Sequence, residues 1–179
     1  MNTTIKENIC SVVQSLKHLE NCGLYDVEKY TRSLAHQTGQ LEYFYCHLAN
    51  HSPVSHTFYH VPRKPHVHQL AYFNIGRGFP KELMDGHWCY ILKDMGYKMI
   101  VVPCTSIKKD SAPLNPAFEK EITMWGYHTK MSCRMQLSDL RAVDLQRLDT
   151  RKPFFDVLTD QEDINTFISS HLFDTEDRS

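Results

Sequence analysis

The chain has 179 residues, 41% of them hydrophobic and 23% charged, a composition that is ordinary for a folded protein and excludes extensive disorder. Its 20 basic and 21 acidic side chains nearly cancel, but residues 51–110 carry 8 basic and 4 acidic groups, whereas residues 153–179 carry 1 and 7. We therefore expect a basic body, which can attract polyanions, followed by an acidic tail that either lies on that body or, more simply, keeps it in solution.

The chain shows no signal for a membrane or for secretion. No apolar run approaches the length needed to span a bilayer, and the first four residues lack a basic region followed by an apolar core. We therefore expect a soluble, cytoplasmic protein with no membrane partner.

The cysteines form no Cys-x-x-Cys pair, which predicts reduced and mostly buried thiols at Cys10, Cys22, Cys46, Cys89, Cys104 and Cys133.

The first fifty residues have the periodicity of helices. Apolar side chains at helical spacing predict one helix over 5–20, ended by Gly23, and a second over 25–37, stopped near Gly39. Residues 40–50 are apolar enough to form a third, shorter helix. Nothing in this extension suggests catalysis, and we expect it to pack on the following domain or to pair two protomers.

A histidine-rich segment follows the predicted helices. Two of its pairs are spaced four residues apart, as in helical zinc sites, but three prolines interrupt the segment and no carboxylate completes a ligand motif. We favour a linker with no metal or cofactor and keep a metal site as the alternative. The predicted division is an N-terminal extension over 1–60 and a domain over 61–179. The histidines concerned are His47, His51, His56, His60, His66 and His68.

A β-hairpin over residues 86–106 organises the second half of the chain. Two apolar runs flank Asp94-Met95-Gly96, which is typical of a glycine-containing turn, and residues 100–102 indicate a strand buried on both faces. We expect that strand to stop at Pro103, which cannot donate to a ladder. The polar ends of the two strands, at His87 and at Thr105-Ser106, would then lie side by side at a sheet edge.

Other elements surround the hairpin. The sequence predicts a strand over 70–75, a partly basic loop over 76–85, a polar loop over 107–117 and a further strand near 127–137. Residues 140–148 fit either a helical turn or a strand. Near the C-terminus, Thr159 or Asp160 caps a helix over Ile164, Phe167, Ile168 and Leu172. Short strands joined by loops favour a small, strongly curved, barrel-like sheet.

The order of these segments resembles the MazF/PemK family of toxin endoribonucleases. The match lies in the strand at 70–75, the glycine-containing loop, the strand end MIVVPCTS at 99–106 and the segment LRAVDLQRL at 140–148. The resemblance implies an α+β fold with a mainly β core: a small SH3-like barrel, here with an N-terminal helical extension and a C-terminal helix. It also implies a homodimer that cuts single-stranded RNA without a metal, and a cognate antitoxin protein.

The resemblance also implies a catalytic pair, an arginine at the start of the first hairpin strand and the Thr-Ser end of the second. Thr105 and Ser106 match, but His87-Trp88 stands where the family has Arg-Pro. Histidine suits acid–base chemistry on the substrate 2′-hydroxyl because its unperturbed pKa, about 6.5, lies near working pH. The predicted catalytic residues are therefore His87, Thr105 and Ser106. The predicted RNA contacts are a stacking Trp88 and the phosphate-binding Arg77, Lys81, Lys108, Lys109 and Arg134.

Each assignment has a structural alternative. His87 could be a hydrogen-bonded histidine at a strand start, Trp88 an ordinary core residue, and Thr105-Ser106 a cap of the next segment. The main functional alternative is a non-catalytic barrel of the same fold that binds a protein target, as the CcdB-like topoisomerase poisons do. A third is a barrel that binds RNA or a protein partner without toxicity.

Overall fold

The structure, a computed structural model, describes residues 2–48, 61–79 and 81–173. The chain divides into two compact units, Met1–His51 and Ser52–Ser179. The helices of the described part are α1 (Thr3–Cys22), α2 (Val27–Tyr43) and α3 (Gln161–Leu172). Its strands are β1 (Gln69–Asn74), β2 (Gly86–Asp94), β3 (Lys98–Ser106), β4 (Glu119–Gly126), β5 (Thr129–Gln136), β6 (Arg141–Asp144) and β7 (Phe155–Val157).

The first unit consists of α1 and α2. The predicted end of α1 is confirmed: Gly23 adopts φ 69°, and its N–H donates to the carbonyl oxygens of Leu19 and Glu20. The predicted stop near Gly39 is wrong, because α2 runs through it to Tyr43 and continues as a π-helical turn over Phe44–Leu48. One glycine costs a helix only about 1 kcal/mol and does not end it without a capping interaction.

The second unit is a closed barrel of six antiparallel strands. Around the barrel the order is β1, β7, β4, β5, β3 and β2, and β2 returns to β1, while β6 pairs with the first half of β3. This confirms the predicted fold class, α+β with a mainly β, SH3-like barrel and helices at its N- and C-terminal ends.

The β2–β3 hairpin forms as predicted, with one difference. Its turn is held by Gly96, at φ 89°, whose N–H donates to Asp94 Oδ1 at 2.8 Å. The expected end at Pro103 is wrong, because β3 continues to Ser106. On one edge β3 pairs with β6 up to Val101 and with β5 from Cys104. Pro103 has no N–H to donate. It lies between these two paired segments, where β3 has no partner on this edge.

The barrel wall has apolar side chains on both of its faces. Leu70, Tyr90 and Val102 belong to the larger core, which α3 covers with Ile164 and Ile168. The alternate residues of β1, β2 and β3 form a second core with β6 and the residues after it. The expected burial of residues 100–102 on both faces is confirmed, because Val101 lies in one core and Val102 in the other.

The acidic C-terminal stretch is part of the fold. β7 pairs with both β1 and β4, and so closes the barrel. The predicted cap of α3 is Asp160, whose Oδ1 accepts hydrogen bonds from the N–H groups of Glu162 and Asp163. The expectation of a solvating tail is therefore wrong for residues 153–173; residues 174–179 lie outside the described part.

Three further expectations are refined by the described residues. The strand expected near 127–137 is β5, β4 was not predicted, and residues 140–148 contain β6 followed by a 3₁₀ turn.

The cysteines divide evenly: Cys10, Cys22 and Cys46 are exposed, and Cys89, Cys104 and Cys133 are buried. Burial raises the pKa of the Cys104 thiol, which keeps it protonated and unreactive. No helix in the described ranges is both long and apolar enough to cross a membrane.

Candidate functional site

His87 joins the two polar ends of the β2–β3 hairpin. Its Nδ1 lies 3.3 Å from the backbone oxygen of Cys104, the residue before Thr105. A carbonyl oxygen can only accept, so Nδ1 must carry the hydrogen of this bond. In the neutral ring, Nε2 is then the proton acceptor. The contact therefore fixes both the position of the imidazole and the nitrogen that can act as a base.

The strand register places Thr105, rather than Ser106, on the face that carries His87. Trp88 is paired with Cys104, and continuing this register by one residue sets His87 opposite Thr105. Directly opposed residues of an antiparallel pair project to the same face, with Cβ atoms about 5 Å apart. Ser106 follows on the other face and is exposed. The hairpin thus brings all three predicted catalytic residues to one end, with His87 and Thr105 adjacent.

A buried amide holds the Thr105 hydroxyl. Gln136 is 8% exposed, and its Nε2 lies 2.8 Å from Glu119 Oε1 and 3.1 Å from Thr105 Oγ1. Because an ionised Glu119 can only accept, the contacting atom of Gln136 must be its nitrogen, whose second hydrogen points to Thr105. Thr105 Oγ1 accepts this hydrogen, so its own O–H remains available as a donor.

Glu119 is held in the ionised form that this arrangement needs. The Asn115 N–H donates to its Oε2 at 2.7 Å, Gln136 donates to its Oε1, and Arg134 lies nearby. These interactions, the Asn115 bond first, hold the pKa of the Glu119 carboxyl below its ordinary value. Sequence reasoning missed both Gln136 and Glu119. The available signal was a glutamine between the apolar Met135 and Leu137 at the end of a strand.

Arg134 shapes a loop beside this network. Its Nη1 donates to the Ala112 carbonyl oxygen at 2.6 Å and lies 3.8 Å from Glu119 Oε2. Its Nε is buried and has no hydrogen-bond partner within the described residues. The guanidinium therefore fastens the polar loop that follows β3 onto β5.

Arg77 closes the loop that precedes β2. Its Nε and Nη2 donate to the two carboxylate oxygens of Asp85 at 3.0 and 2.8 Å, and its side chain is only 7% exposed. Backbone hydrogen bonds join the same ends of the loop, Ile75 N–H to Asp85 O and Asp85 N–H to Gly76 O. The pair brings the chain back to the start of β2, immediately before His87.

Replacing Asp85 by Asn should lower the free energy of unfolding of the barrel by about 1–3 kcal/mol, because the largely buried Arg77 loses its charged partner. Asparagine tolerates the left-handed backbone of Asp85, φ 66°, so the substitution removes charge without adding strain. Urea unfolding measures the change. Asp110→Asn, in the exposed loop after β3, is the matched control, and its free energy of unfolding should stay within about 0.5 kcal/mol of that of the unchanged protein. Equal effects of the two substitutions would contradict a stabilising role of the Arg77–Asp85 pair.

The three predicted lysines lie in the two loops that flank the site. Lys81 is exposed in the loop before β2, and Lys108 and Lys109 are exposed in the loop after β3. Both loops leave the end of the hairpin where His87 contacts Cys104. The three lysines are therefore carried by chain segments that adjoin this end of the hairpin.

Trp88 belongs to a row of packed aromatic rings. It stacks on Phe155 at 4.4 Å between ring centroids and meets Tyr72 edge-on at 5.4 Å, and the row continues from Phe155 to the exposed Tyr127. The indole is half-buried against the larger core. Its packing accounts for its presence without a ligand, and Tyr127 is the more exposed ring of the row.

The histidine-rich segment is described only in part. His51, His56 and His60 lie outside the described residues. His68 Nδ1 lies 3.1 Å from the Tyr90 hydroxyl, and burial raises the pKa of that phenol to about 12. Within residues 2–48, 61–79 and 81–173, no three side chains of the types that bind metals converge on one point.

No family model matches the sequence, and neither does any curated protein. The functional assignment therefore depends on the residues of the site itself.

Proposed function

We propose that the protein is an endoribonuclease that cleaves single-stranded RNA without a metal, as the toxin of a toxin–antitoxin pair. The observation that supports the proposal is the hydrogen bond from His87 Nδ1 to Cys104 O, which leaves Nε2 as the acceptor of a neutral imidazole, on the strand face that Thr105 shares by register. A base and a hydrogen-bond donor at one strand end are what attack by a substrate hydroxyl on its own phosphate needs.

In the proposed reaction, His87 Nε2 takes the proton of the substrate 2′-hydroxyl, and the 2′-oxygen attacks the adjacent phosphorus. Thr105 O–H donates to a non-bridging oxygen of that phosphate and stabilises its added charge. The bond from phosphorus to the 5′-oxygen breaks, and this oxygen takes a proton from solvent. The products are a 2′,3′-cyclic phosphate and a 5′-hydroxyl, and His87 returns its proton to solvent.

The flanking loops supply the charge that RNA binding requires. Lys81, Lys108 and Lys109 are exposed in the two loops that adjoin the site, and they would bind phosphates on either side of the cleaved bond. Arg77 and Arg134 contribute by shaping the loops that carry these lysines. An acidic or apolar segment of the antitoxin would cover the same surface.

Incubation of the pure protein with a long single-stranded RNA in EDTA tests the proposal. Discrete fragments that end in 2′,3′-cyclic phosphates are expected. RNA that stays intact over a range of protein concentrations would overturn the proposed activity and favour the non-catalytic, protein-binding barrel.

Gln136 should act as a positioning residue in this site. We expect Gln136→Leu to lower kcat for RNA cleavage about tenfold with little change in KM, because the Thr105 hydroxyl loses the donor that orients it. Single-turnover and steady-state cleavage of a short RNA measure the two constants. Gln69→Leu is the matched control, since it removes an amide that donates to Asp156 at the far end of β1. A purely structural Gln136 would instead lower thermal stability and leave kcat of the folded enzyme unchanged.

A further inference from the structure

The exposed face of α1 has the pattern of a coiled coil. Along this helix the apolar side chains recur at spacings of four, three, four and three residues, at Ile5, Ile9, Val12, Leu16 and Leu19. This is the heptad pattern in which positions d and a alternate along one seam. α1 buries none of its residues, and the exposed fractions of Ile5, Ile9, Val12 and Leu19 lie between 40% and 49%.

An exposed row of apolar side chains of this kind can be covered by a second helix. A helix of 20 residues is marginally stable in water by itself, and most helical stability in proteins comes from packing an apolar face. A row of exposed branched side chains on such a helix costs solubility unless another surface covers it. Leu16 is half-buried, and the other four residues of the seam remain exposed and offer a surface for a second helix.

The charges that flank the seam indicate which helix this is. The e positions, one residue after each d, hold Lys6, Val13 and Glu20, and the g positions between them hold the uncharged Asn8 and Ser15. In a parallel pair each e position faces a g position of the partner, which gives no contact between opposite charges. In an antiparallel pair e faces e, so Lys6 of one copy can meet Glu20 of the other.

The antiparallel register also aligns the seam. With Lys6 opposite Glu20, Ile9 faces Leu19 of the second copy and Val12 faces its Leu16, so each layer joins an a position to a d position. Val13 then meets its own counterpart at the two-fold axis. Both ion pairs form by symmetry, one at each end of the interface.

We propose that α1 pairs with α1 of a second copy of this chain as an antiparallel two-stranded coiled coil. The proposal does not depend on RNA cleavage. It assigns the dimer interface to the N-terminal unit.

Sedimentation equilibrium of the full chain tests the seam. The unchanged protein is expected to be a dimer at micromolar concentrations. Val12→Glu should weaken dimerisation by more than about tenfold, because it would bury an unpaired carboxylate in the seam. Gln14→Glu adds the same charge on the outer face of α1 and should leave the dimer dissociation constant nearly unchanged. A monomeric parent protein, or a dimer that Val12→Glu does not weaken, overturns the proposal.

Exchanging the charges at positions 6 and 20 tests the antiparallel orientation of the two helices without placing a charge in the seam. Lys6→Glu and Glu20→Lys should each weaken the dimer about tenfold, because each sets like charges opposite one another twice. The double variant Lys6→Glu/Glu20→Lys should restore the affinity of the parent protein. Failure of the double variant to restore it rules out the antiparallel register. Far-UV circular dichroism confirms that α1 remains helical in each variant.

Discussion

His87→Ala is expected to lower RNA cleavage by about 10²- to 10⁴-fold while the barrel remains folded. The imidazole is half-buried at the start of β2, and its Nδ1 donates a hydrogen bond to Cys104 O. Removing it takes away the proposed base but only one hydrogen bond from the fold. Denaturing gels of a 5′-labelled RNA in EDTA measure the loss, and thermal unfolding measures the integrity of the barrel.

Two further variants distinguish the role of His87 as a catalytic base from the structural role of its hydrogen bond to Cys104. His87→Asn keeps a side-chain N–H that can donate to Cys104 O but has no ring nitrogen to accept a proton, so it should be as inactive as His87→Ala. His66→Ala removes an exposed histidine in the segment before β1 and should retain full activity. Cleavage by His87→Asn at the rate of the unchanged protein would mean that His87 only positions the strand end.

Phe73→Ala should lower the free energy of unfolding of the barrel by about 3–5 kcal/mol. Phe73 is fully buried in the second core, where it opposes His87 across the β1–β2 pair and bridges to Leu148. Its truncation leaves a cavity between the barrel wall and the residues around β6. A loss of this size is a large part of the roughly 5–15 kcal/mol that stabilises a typical domain.

Denaturant unfolding followed by tryptophan fluorescence measures this effect on the barrel alone. Both tryptophans, Trp88 and Trp125, lie in barrel strands, so the signal does not report on the helical unit. Phe79→Ala is the matched control, because Phe79 is 80% exposed in the loop before β2 and its loss should change stability by less than about 0.5 kcal/mol. Similar losses for both variants would contradict a second packed core.

Elements with strong local signals could be predicted. The Asp160 cap of α3, the Gly23 end of α1 and the Gly96 turn of the hairpin depend on residues within a few positions of one another. Gly39 misled the prediction, because a local helix breaker was overruled by continuous helical propensity on both sides. β4 was missed because its residues, from Glu119 to Gly126, become a strand only through pairing with β5 and β7.

The predictions for the candidate site divide in the same way between local signals and tertiary contacts. The sequence alone indicated that the two hairpin ends meet and that His87, Thr105 and Ser106 lie there, since an antiparallel turn fixes which ends are neighbours. Only the tertiary structure decided that Thr105 shares the face of His87, that Gln136 and Glu119 orient its hydroxyl, and that Arg77 is paired with Asp85.

What the sequence determined by itself was therefore the fold class, the helices α1 and α3, the hairpin and the residues at its polar end. Closure of the barrel by β7, the path of β3 through Pro103 and the contacts of each polar side chain were decided by partners far away in the chain. The physical reason is that caps and turns depend on short-range sterics and hydrogen bonds. Strand register and side-chain partners instead depend on which distant segments pack together, and no local pattern encodes that choice.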